Sequence, residues 1–430
     1  MKGAALYTGA VAWGSVTASG GVRPAVNEAT LLDTRTEPGP SVRATATSVP
    51  PGRTTILPRV TLSRGAPELV ADQRERFEAT QQLGVGGVGE VMLARDNDIE
   101  RPVAIKRLLP GADDADGIAR FIDEIRVLGE LDHPNIVPVH DVGVDAEGRY
   151  YYVMKYVEGE TLEHVIEKLA AGDGDYHARY PFTRREEIFR QILHGVQYAH
   201  DRGMIHRDIK PANVMIGRYG EVLVMDWGIA RRIRAGGAER LPVNDKAKTL
   251  SRAPSKVPPQ LRTQTGSILG TPAYMSPEQA RGEIDALDER TDVYALCVMF
   301  HEFMSLRHYL AGCQSITAAL AGVEKESVPF AHFIRNPYQP AVPPDLSHFI
   351  RHGVEKDREK RYRTVGEMLA RLDRIDDGQC PVECPSTLTK RIVTETSRAV
   401  DHHPIWVMGA GLAAIGVTIS GAVAFVSLVL

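Results

Sequence analysis

The chain has 430 residues, of which 43% are hydrophobic and 25% charged, and its formal net charge is −4. This length exceeds one average domain, and the hydrophobic fraction is sufficient for a large core. The weakly acidic balance does not indicate nucleic-acid binding. The four cysteines are too few and too scattered for a disulfide framework, so we expect reduced thiols, including Cys380 and Cys384.

Residues 1–76 are rich in small residues and proline and show no sustained hydrophobic period. The prolines between Pro38 and Pro51 are incompatible with a regular helix or a central strand in that part. We therefore predict a disordered N-terminal tail over 1–76, with folded structure beginning at Phe77.

The first motif is a glycine-rich stretch at 83–91 with the pattern G-x-G-x-x-G. Dinucleotide-binding folds share this pattern, but there the glycines open a helix. Here the β-prone residues Val91–Ala94 follow, and a turn-like Asp-Asn-Asp comes next. We therefore predict a β-hairpin whose turn folds backbone N–H groups over phosphates.

A short strand and an amphipathic helix follow the glycine motif. Alternation over Val103–Lys106 places Ala104 and Lys106 on the face beneath the glycine turn. Apolar residues then recur at helical spacing: Ile118, Phe121, Ile122, Ile125 and Leu128. Glu124 borders this stripe, and a partly buried carboxylate needs a cationic partner. Lys106 is the candidate, although an ordinary solvated glutamate is the alternative interpretation.

The stretch His206–Met215 combines an acid, a cation and an amide between two apolar runs. These residues are Asp208, Lys210 and Asn213. Pro211 removes a backbone donor, so neither a regular helix nor a central strand runs through the stretch. We predict a loop that presents the three polar side chains to one point.

Taken in order, these motifs resemble those of the protein kinases. The stretch His206–Asn213 reads H-R-D-x-x-x-x-N, with lysine after the aspartate as in the serine/threonine form. A predicted strand pair leads to Asp226-Trp227-Gly228, which is similar to D-F-G with tryptophan replacing phenylalanine. Gly270–Glu278 resembles the substrate-docking strip, with Ser-Pro-Glu in place of Ala-Pro-Glu. The resemblance covers residues 77–373 and is to bacterial eukaryotic-like (Hanks-type) serine/threonine kinases.

The resemblance implies an α+β fold of two lobes, a small β-rich N-lobe and a larger helical C-lobe. It implies ATP and Mg²⁺ as cofactors and the serine or threonine hydroxyls of protein substrates as phosphate acceptors. The positions that would bind nucleotide are Leu83, Gly84, Val85, Gly86, Gly87, Val88, Gly89, Glu90, Val91, Ala104 and Lys106.

The resemblance also assigns roles to the polar residues. Asp226 would hold magnesium, and Asn213 would supply a second metal contact. Asp208 would orient the substrate hydroxyl and accept its proton, while Lys210 would neutralise charge on the phosphoryl group. Lys106 would pair with Glu124.

Three further residues are implied in holding the C-lobe together. Glu278 would pair with Arg361, although surface charges are the alternative interpretation. Asp292 matches the buried helix aspartate that binds the catalytic-loop backbone in kinases.

A long polar segment precedes residue 270, and we expect autophosphorylation there at Thr263, Thr265 or Ser267.

The C-terminal part predicts a membrane anchor. Residues 374–404 have the character of a juxtamembrane linker, and 405–430 carry no charge. A helix of that length reaches about 39 Å, enough to cross a hydrocarbon core of about 30 Å. Basic residues precede the span, so we expect a single-pass protein of the cell membrane with a cytoplasmic kinase domain. Gly416, Ser420 and Ala424 share one helix face and suggest a parallel homodimer.

Two other functions remain open from the sequence. One is a pseudokinase that binds nucleotide or partners as a scaffold, and the other is a small-molecule kinase of similar fold. The presence of Lys106, Glu124, Asp208, Asn213 and Asp226 argues against a pseudokinase. The docking strip argues against the second, because a small substrate needs no such platform.

Overall fold

The structure is a computed structural model and describes residues 54–63, 66–70, 74–86, 89–111, 114–228, 230–232, 272–313, 315–379 and 387. Several predictions lie outside these residues. They concern Gly87 and Val88, the sites Thr263, Thr265 and Ser267, most of the linker 374–404, and the span 405–430. Among the helices formed by the described residues, none is both long and apolar enough to cross a membrane.

The end of the predicted disordered tail contains regular structure. Strands β1 (Arg59–Ser63) and β2 (Ala66–Val70) form an antiparallel hairpin. Just before it, the backbone amides of Ile56 and the next residue donate to the Asp98 carboxylate at 2.7 and 2.8 Å. Composition alone misses this segment, because the carboxylate that binds its backbone lies 42 residues further along the chain from Ile56.

A five-stranded antiparallel sheet forms the small lobe, in the order β3-β4-β5-β7-β6. Its strands are β3 (Phe77–Val85), β4 (Gly89–Asp96), β5 (Arg101–Leu108), β6 (Val139–Val144) and β7 (Tyr150–Lys155). β3 and β4 form the predicted glycine hairpin. Alternation along β5 places Val103 and Ile105 in a small apolar cluster and Ala104 in the main core, as predicted.

Helix α1 (Ala115–Glu130) packs beside this sheet. It begins where the Asp114 carboxylate accepts a hydrogen bond from the Gly117 amide at 2.8 Å, which satisfies one unpaired donor of the first turn. Phe121 is buried on its apolar side, with its ring centroid 5.5 Å from that of Tyr152. The same packing turns Glu124 inward.

Helices build the larger lobe. They are α2 (Leu162–Ala170), α3 (Gly174–Arg179), α4 (Phe182–His200), α5 (Pro277–Ala280), α6 (Glu289–Ser305), α7 (Ile316–Lys325), α8 (Pro344–Gly353) and α9 (Val365–Asp376). Helix α6 is buried over nearly its whole length and forms the centre of the lobe.

Short strands lie where the two lobes meet. They are β8 (Gly159–Thr161), β9 (Met204–Ile205), β10 (Val214–Gly217), β11 (Val222–Val224) and β12 (Arg231–Arg232). They pair as β11-β10-β8 and β12-β9. The predicted loop therefore lies between β9 and β10, and the predicted strand pair after it is β10 and β11.

Candidate active site

Three charged side chains from separate elements meet at one point. Lys106 comes from β5, Glu124 from α1, and Asp226 from the turn after β11. The Lys106 Nζ lies 2.6 Å from Glu124 Oε1 and 2.9 Å from Asp226 Oδ1. Glu124 is only 6% exposed, so it is not an ordinary solvated glutamate. The predicted pairing of Lys106 with Glu124 is thus present in the structure.

The electrostatics of this cluster favour the charged forms. Burial disfavours the charge on Lys106, but the surrounding Asp226, Tyr152 and Glu124 outweigh it, so the pKa of Lys106 lies well above its ordinary value. The protein atoms packed around Asp226 also disfavour its charge, although its side chain is 45% exposed. The Lys106 ammonium outweighs this effect, so the pKa of Asp226 is lowered. An ion pair between Lys106 and Asp226 therefore connects the sheet to the loop after β11.

The acid, cation and amide of the predicted loop converge as expected. The Lys210 Nζ donates to Asp208 Oδ2 at 2.7 Å. The Asn213 amide nitrogen donates to the Asp208 carbonyl at 2.8 Å and to Oδ2 at 3.1 Å. The Asp208 side chain remains 31% exposed. It is therefore held by two donors and still accessible to a hydroxyl group, which suits orientation and proton acceptance.

The backbone at this site is strained and held by its surroundings. Arg207 and Asp226 adopt φ values of 71° and 60°, which residues other than glycine rarely adopt. Asp292 on α6 accepts the amides of His206 and Arg207, each at 2.8 Å, as the resemblance implies. The Gln279 side-chain amide donates to the Arg207 carbonyl at 2.8 Å. These contacts fix the loop from two directions.

Trp227 takes the position where kinases have phenylalanine. Its indole is 1% exposed and packs against His206, with 4.5 Å between ring centroids. Among the described residues the indole N–H has no hydrogen-bond partner. Next to it, a Cβ at Gly228 would lie 3.0 Å from Glu124 Oε2, so a larger residue there would push against the buried ion pair.

A buried ion pair anchors the segment after residue 272. Arg361 donates to both oxygens of Glu278, at 2.8 and 2.9 Å. The side chains are 0% and 2% exposed, so the surface-charge interpretation of this pair is excluded. Burial disfavours the charge on Glu278, but the Arg361 hydrogen bonds outweigh it and lower its pKa. Only the family resemblance predicted this pair. Its two residues are 83 positions apart, so no local sequence pattern relates them.

Two contacts at the site were not predicted from the sequence. The Tyr152 hydroxyl donates to Glu124 Oε1 at 2.7 Å. Tyr152 pairs with Lys106 in the sheet register, so strand alternation could have placed it on the same face. Gln279 lies 72 residues from the carbonyl that it binds. No local pattern indicates that contact.

Comparison with known proteins agrees with this geometry. Residues 77–371 match the family described as protein kinase domain. The chain belongs to the protein kinase family. The match starts at the residue predicted to begin the folded part and includes every described site residue above.

Curated relatives narrow the family to the serine/threonine kinases. The chain is 34% identical over 321 residues to the serine/threonine-protein kinase PknB of Mycobacterium tuberculosis, covering 73% of this chain and 45% of that protein. It is 35% identical over 320 residues to PknB of Mycolicibacterium smegmatis, with the same coverages. PknD of Protochlamydia amoebophila is 31% identical over 326 residues, or 74% and 32% of the two chains. The chain thus carries a serine/threonine protein kinase domain and spans less than half the length of these relatives.

The described residues fit the nucleotide and metal that the family uses. Asp226 offers a carboxylate that is 45% exposed, and Asn213 has an amide oxygen, so both supply the hard oxygen ligands that Mg²⁺ prefers. At the glycine hairpin, the Gly86 amide donates to the Gly89 carbonyl at 2.8 Å. A Cβ on Gly89 would lie 2.8 Å from the Arg107 carbonyl, so only glycine fits there.

Proposed function

We propose that this chain is a serine/threonine protein kinase that transfers the γ-phosphate of ATP to hydroxyl groups of protein substrates. The observation that carries the proposal is the convergence of two groups: Lys106, Glu124 and Asp226 on one side, and Asp208, Lys210 and Asn213 on the other. Such an arrangement supplies positioning and charge stabilisation, which dominate catalysis of phosphoryl transfer.

We assign each residue the role that its position supports. Asp208 orients the attacking hydroxyl and accepts its proton, because its carboxylate is accessible and held by two donors. Lys210 neutralises charge that develops on the transferring group. Asp226 and Asn213 would hold Mg²⁺, which would shield the negative charges of the phosphates. Lys106, fixed by Glu124, positions the phosphates of the nucleotide.

A transfer assay separates this function from its two alternatives. Purified full-length chain is incubated with radiolabelled Mg-ATP and either a generic basic protein or a mixture of small hydroxyl compounds. Label in the basic protein supports a protein kinase. Label only in the small compounds would identify a small-molecule kinase, and nucleotide binding without any transfer would identify a scaffold.

Regulation is proposed to act through autophosphorylation at Thr263, Thr265 or Ser267. The supporting observation is that Arg207, directly before Asp208, can clamp a phosphate by charge-assisted hydrogen bonds. Replacing all three hydroxyl residues with alanine is expected to lower the activity of untreated enzyme severalfold, measured as initial transfer rate to a basic protein. Equal rates for the triple variant and the unchanged chain would contradict this mechanism.

Membrane attachment through 405–430 and dimerisation through its small-residue face are proposed on sequence grounds. The uncharged run of 26 residues supports the first, and the four-residue spacing of Gly416, Ser420 and Ala424 supports the second. Ile at both Gly416 and Ser420 is expected to weaken self-association in a membrane reporter while the chain stays in the membrane fraction. Recovery of the unchanged chain in the soluble fraction would refute the anchor, and full association of the variant would refute the dimer face.

A further inference from the structure

Tyr152 on β7 lies directly beside Lys106 on β5. The two residues are paired in the register of the sheet, so their side chains leave the same face. Tyr152 is buried, and its ring packs on α1, with 5.5 Å between its centroid and that of Phe121. Its hydroxyl reaches the next turn of α1 and donates to Glu124 Oε1 at 2.7 Å. Tyr152 therefore connects the sheet to the helix at two points.

The Glu124 carboxylate is held on both of its oxygens. Oε1 accepts one hydrogen bond from the Tyr152 hydroxyl and one from the Lys106 ammonium, which lies 2.6 Å away. An oxygen of a carboxylate has two lone pairs, so both acceptor positions of Oε1 are occupied. Oε2 faces Gly228, where a Cβ would lie only 3.0 Å from it. The carboxylate is thus fixed by donors on two adjacent strands and by backbone on its far side.

The two donors differ in what else they bind. The Lys106 ammonium also donates to Asp226 Oδ1 at 2.9 Å, and in the proposed function its third N–H group serves the phosphates of the nucleotide. The Tyr152 hydroxyl has one proton, which is committed to Glu124. Burial raises the pKa of Tyr152 well above its ordinary value, and the negative charges of Glu124 and Asp226 act in the same direction, against that of Lys106. The hydroxyl therefore remains a donor over the pH range of an activity assay.

We infer that Tyr152 is a positioning residue for phosphoryl transfer, which acts through Glu124 on Lys106. Its hydroxyl keeps the carboxylate at the point where the ammonium must lie, whether or not the ammonium also contacts phosphates. Without the hydroxyl, Glu124 keeps only the donor that it shares with Asp226, and the ammonium is no longer centred between the two carboxylates. The inference rests on the proposed function, because it gives Tyr152 a part in that same reaction.

Tyr152→Phe tests the hydroxyl alone, because the phenyl ring preserves the contact with Phe121. We expect kcat/KM for ATP to fall about tenfold, measured from initial rates of phosphate transfer to a basic protein. A hydrogen bond to a charged group corresponds to about 10- to 150-fold in an equilibrium constant, and relaxation of the site recovers part of this factor.

Tyr151→Phe is the matched control. Tyr151 is the neighbouring residue on β7 and is also buried, but it lies on the opposite face of the sheet, in the cluster that contains Phe77 and Val103. Removing its hydroxyl should leave kcat/KM for ATP within about twofold of the unchanged chain, because this hydroxyl does not reach Glu124. Thermal unfolding of every variant verifies that the assay temperature lies well below the unfolding midpoint.

A Glu124→Ala background separates positioning from a general loss of structure. Because the Tyr152 hydroxyl acts through Glu124, adding Tyr152→Phe to Glu124→Ala should change the residual rate, measured with radiolabelled ATP, by less than about twofold. A structural defect would instead lower the rate by the same factor in both backgrounds.

The expected result is a tenfold loss in Tyr152→Phe that disappears when Glu124 is absent. An unchanged rate in Tyr152→Phe, an equal loss in both backgrounds, or an equal loss in Tyr151→Phe would overturn the inference and leave the proposed function intact. No phosphate transfer by the unchanged chain would refute the proposed function, and this inference with it.

Discussion

Asp208→Asn is expected to lower the turnover number for phosphoryl transfer about 10³-fold while the chain stays folded. The amide preserves the shape of the side chain and can still accept one hydrogen bond from Lys210 or Asn213. It cannot hold the proton of the attacking hydroxyl, and its neutral oxygen orients that hydroxyl less strongly. The measurement is the initial rate of phosphate transfer at saturating ATP, together with nucleotide binding, which should not change.

Lys106→Met is expected to abolish transfer for a different reason. It leaves Glu124 and Asp226 without their shared cation, so two carboxylates repel each other where the phosphates must bind. Asp123→Asn is a matched control, because this aspartate is next to Glu124 but 76% exposed. Near-normal turnover in purified Asp208→Asn enzyme, or loss of turnover in the control, would remove the basis for these assignments.

Arg361→Met is expected to destabilise the kinase domain by about 3–5 kcal/mol, because it leaves the Glu278 carboxylate buried without its cation. Arg361 also donates to the carbonyls of Glu355, Lys356 and Arg290, and these acceptors lose their donor as well. The measurement is the free energy of unfolding from denaturant titration.

The Arg281–Glu283 pair provides the control for this prediction. It has equally short contacts, but its side chains are 42% and 45% exposed. Arg281→Met should therefore lower the free energy of unfolding far less than Arg361→Met does. If the two variants lose similar stability, burial is not what makes the Glu278–Arg361 pair important.

The parts of the fold that could be predicted are those with a short-range signal. Strand alternation placed Ala104 and Lys106 on the correct face, and the helical period of α1 brought Glu124 to the border of the core. Pro211 and the polar residues around it identified a loop. In each case the spacing of residues close in sequence determines which side chains share a surface.

The parts that could not be predicted depend on distant residues. The N-terminal segment at Ile56 is ordered by Asp98, and its own composition is that of a disordered tail. Gln279 supports the catalytic loop from 72 residues away. The Glu278–Arg361 pair was predicted only from the family resemblance, because no spacing rule joins two residues on different elements.

Phosphosite mapping of the purified full-length chain incubated with Mg-ATP tests the central claim most directly, with Asp208→Asn as the baseline. We expect phosphate on serine and threonine hydroxyls of the unchanged chain, increasing with time and dependent on Mg²⁺, and none above background in the variant. Equal incorporation in both chains, or nucleotide binding with no phosphate on any protein hydroxyl, including those of an added basic protein, would contradict the assignment of this chain as an active serine/threonine protein kinase.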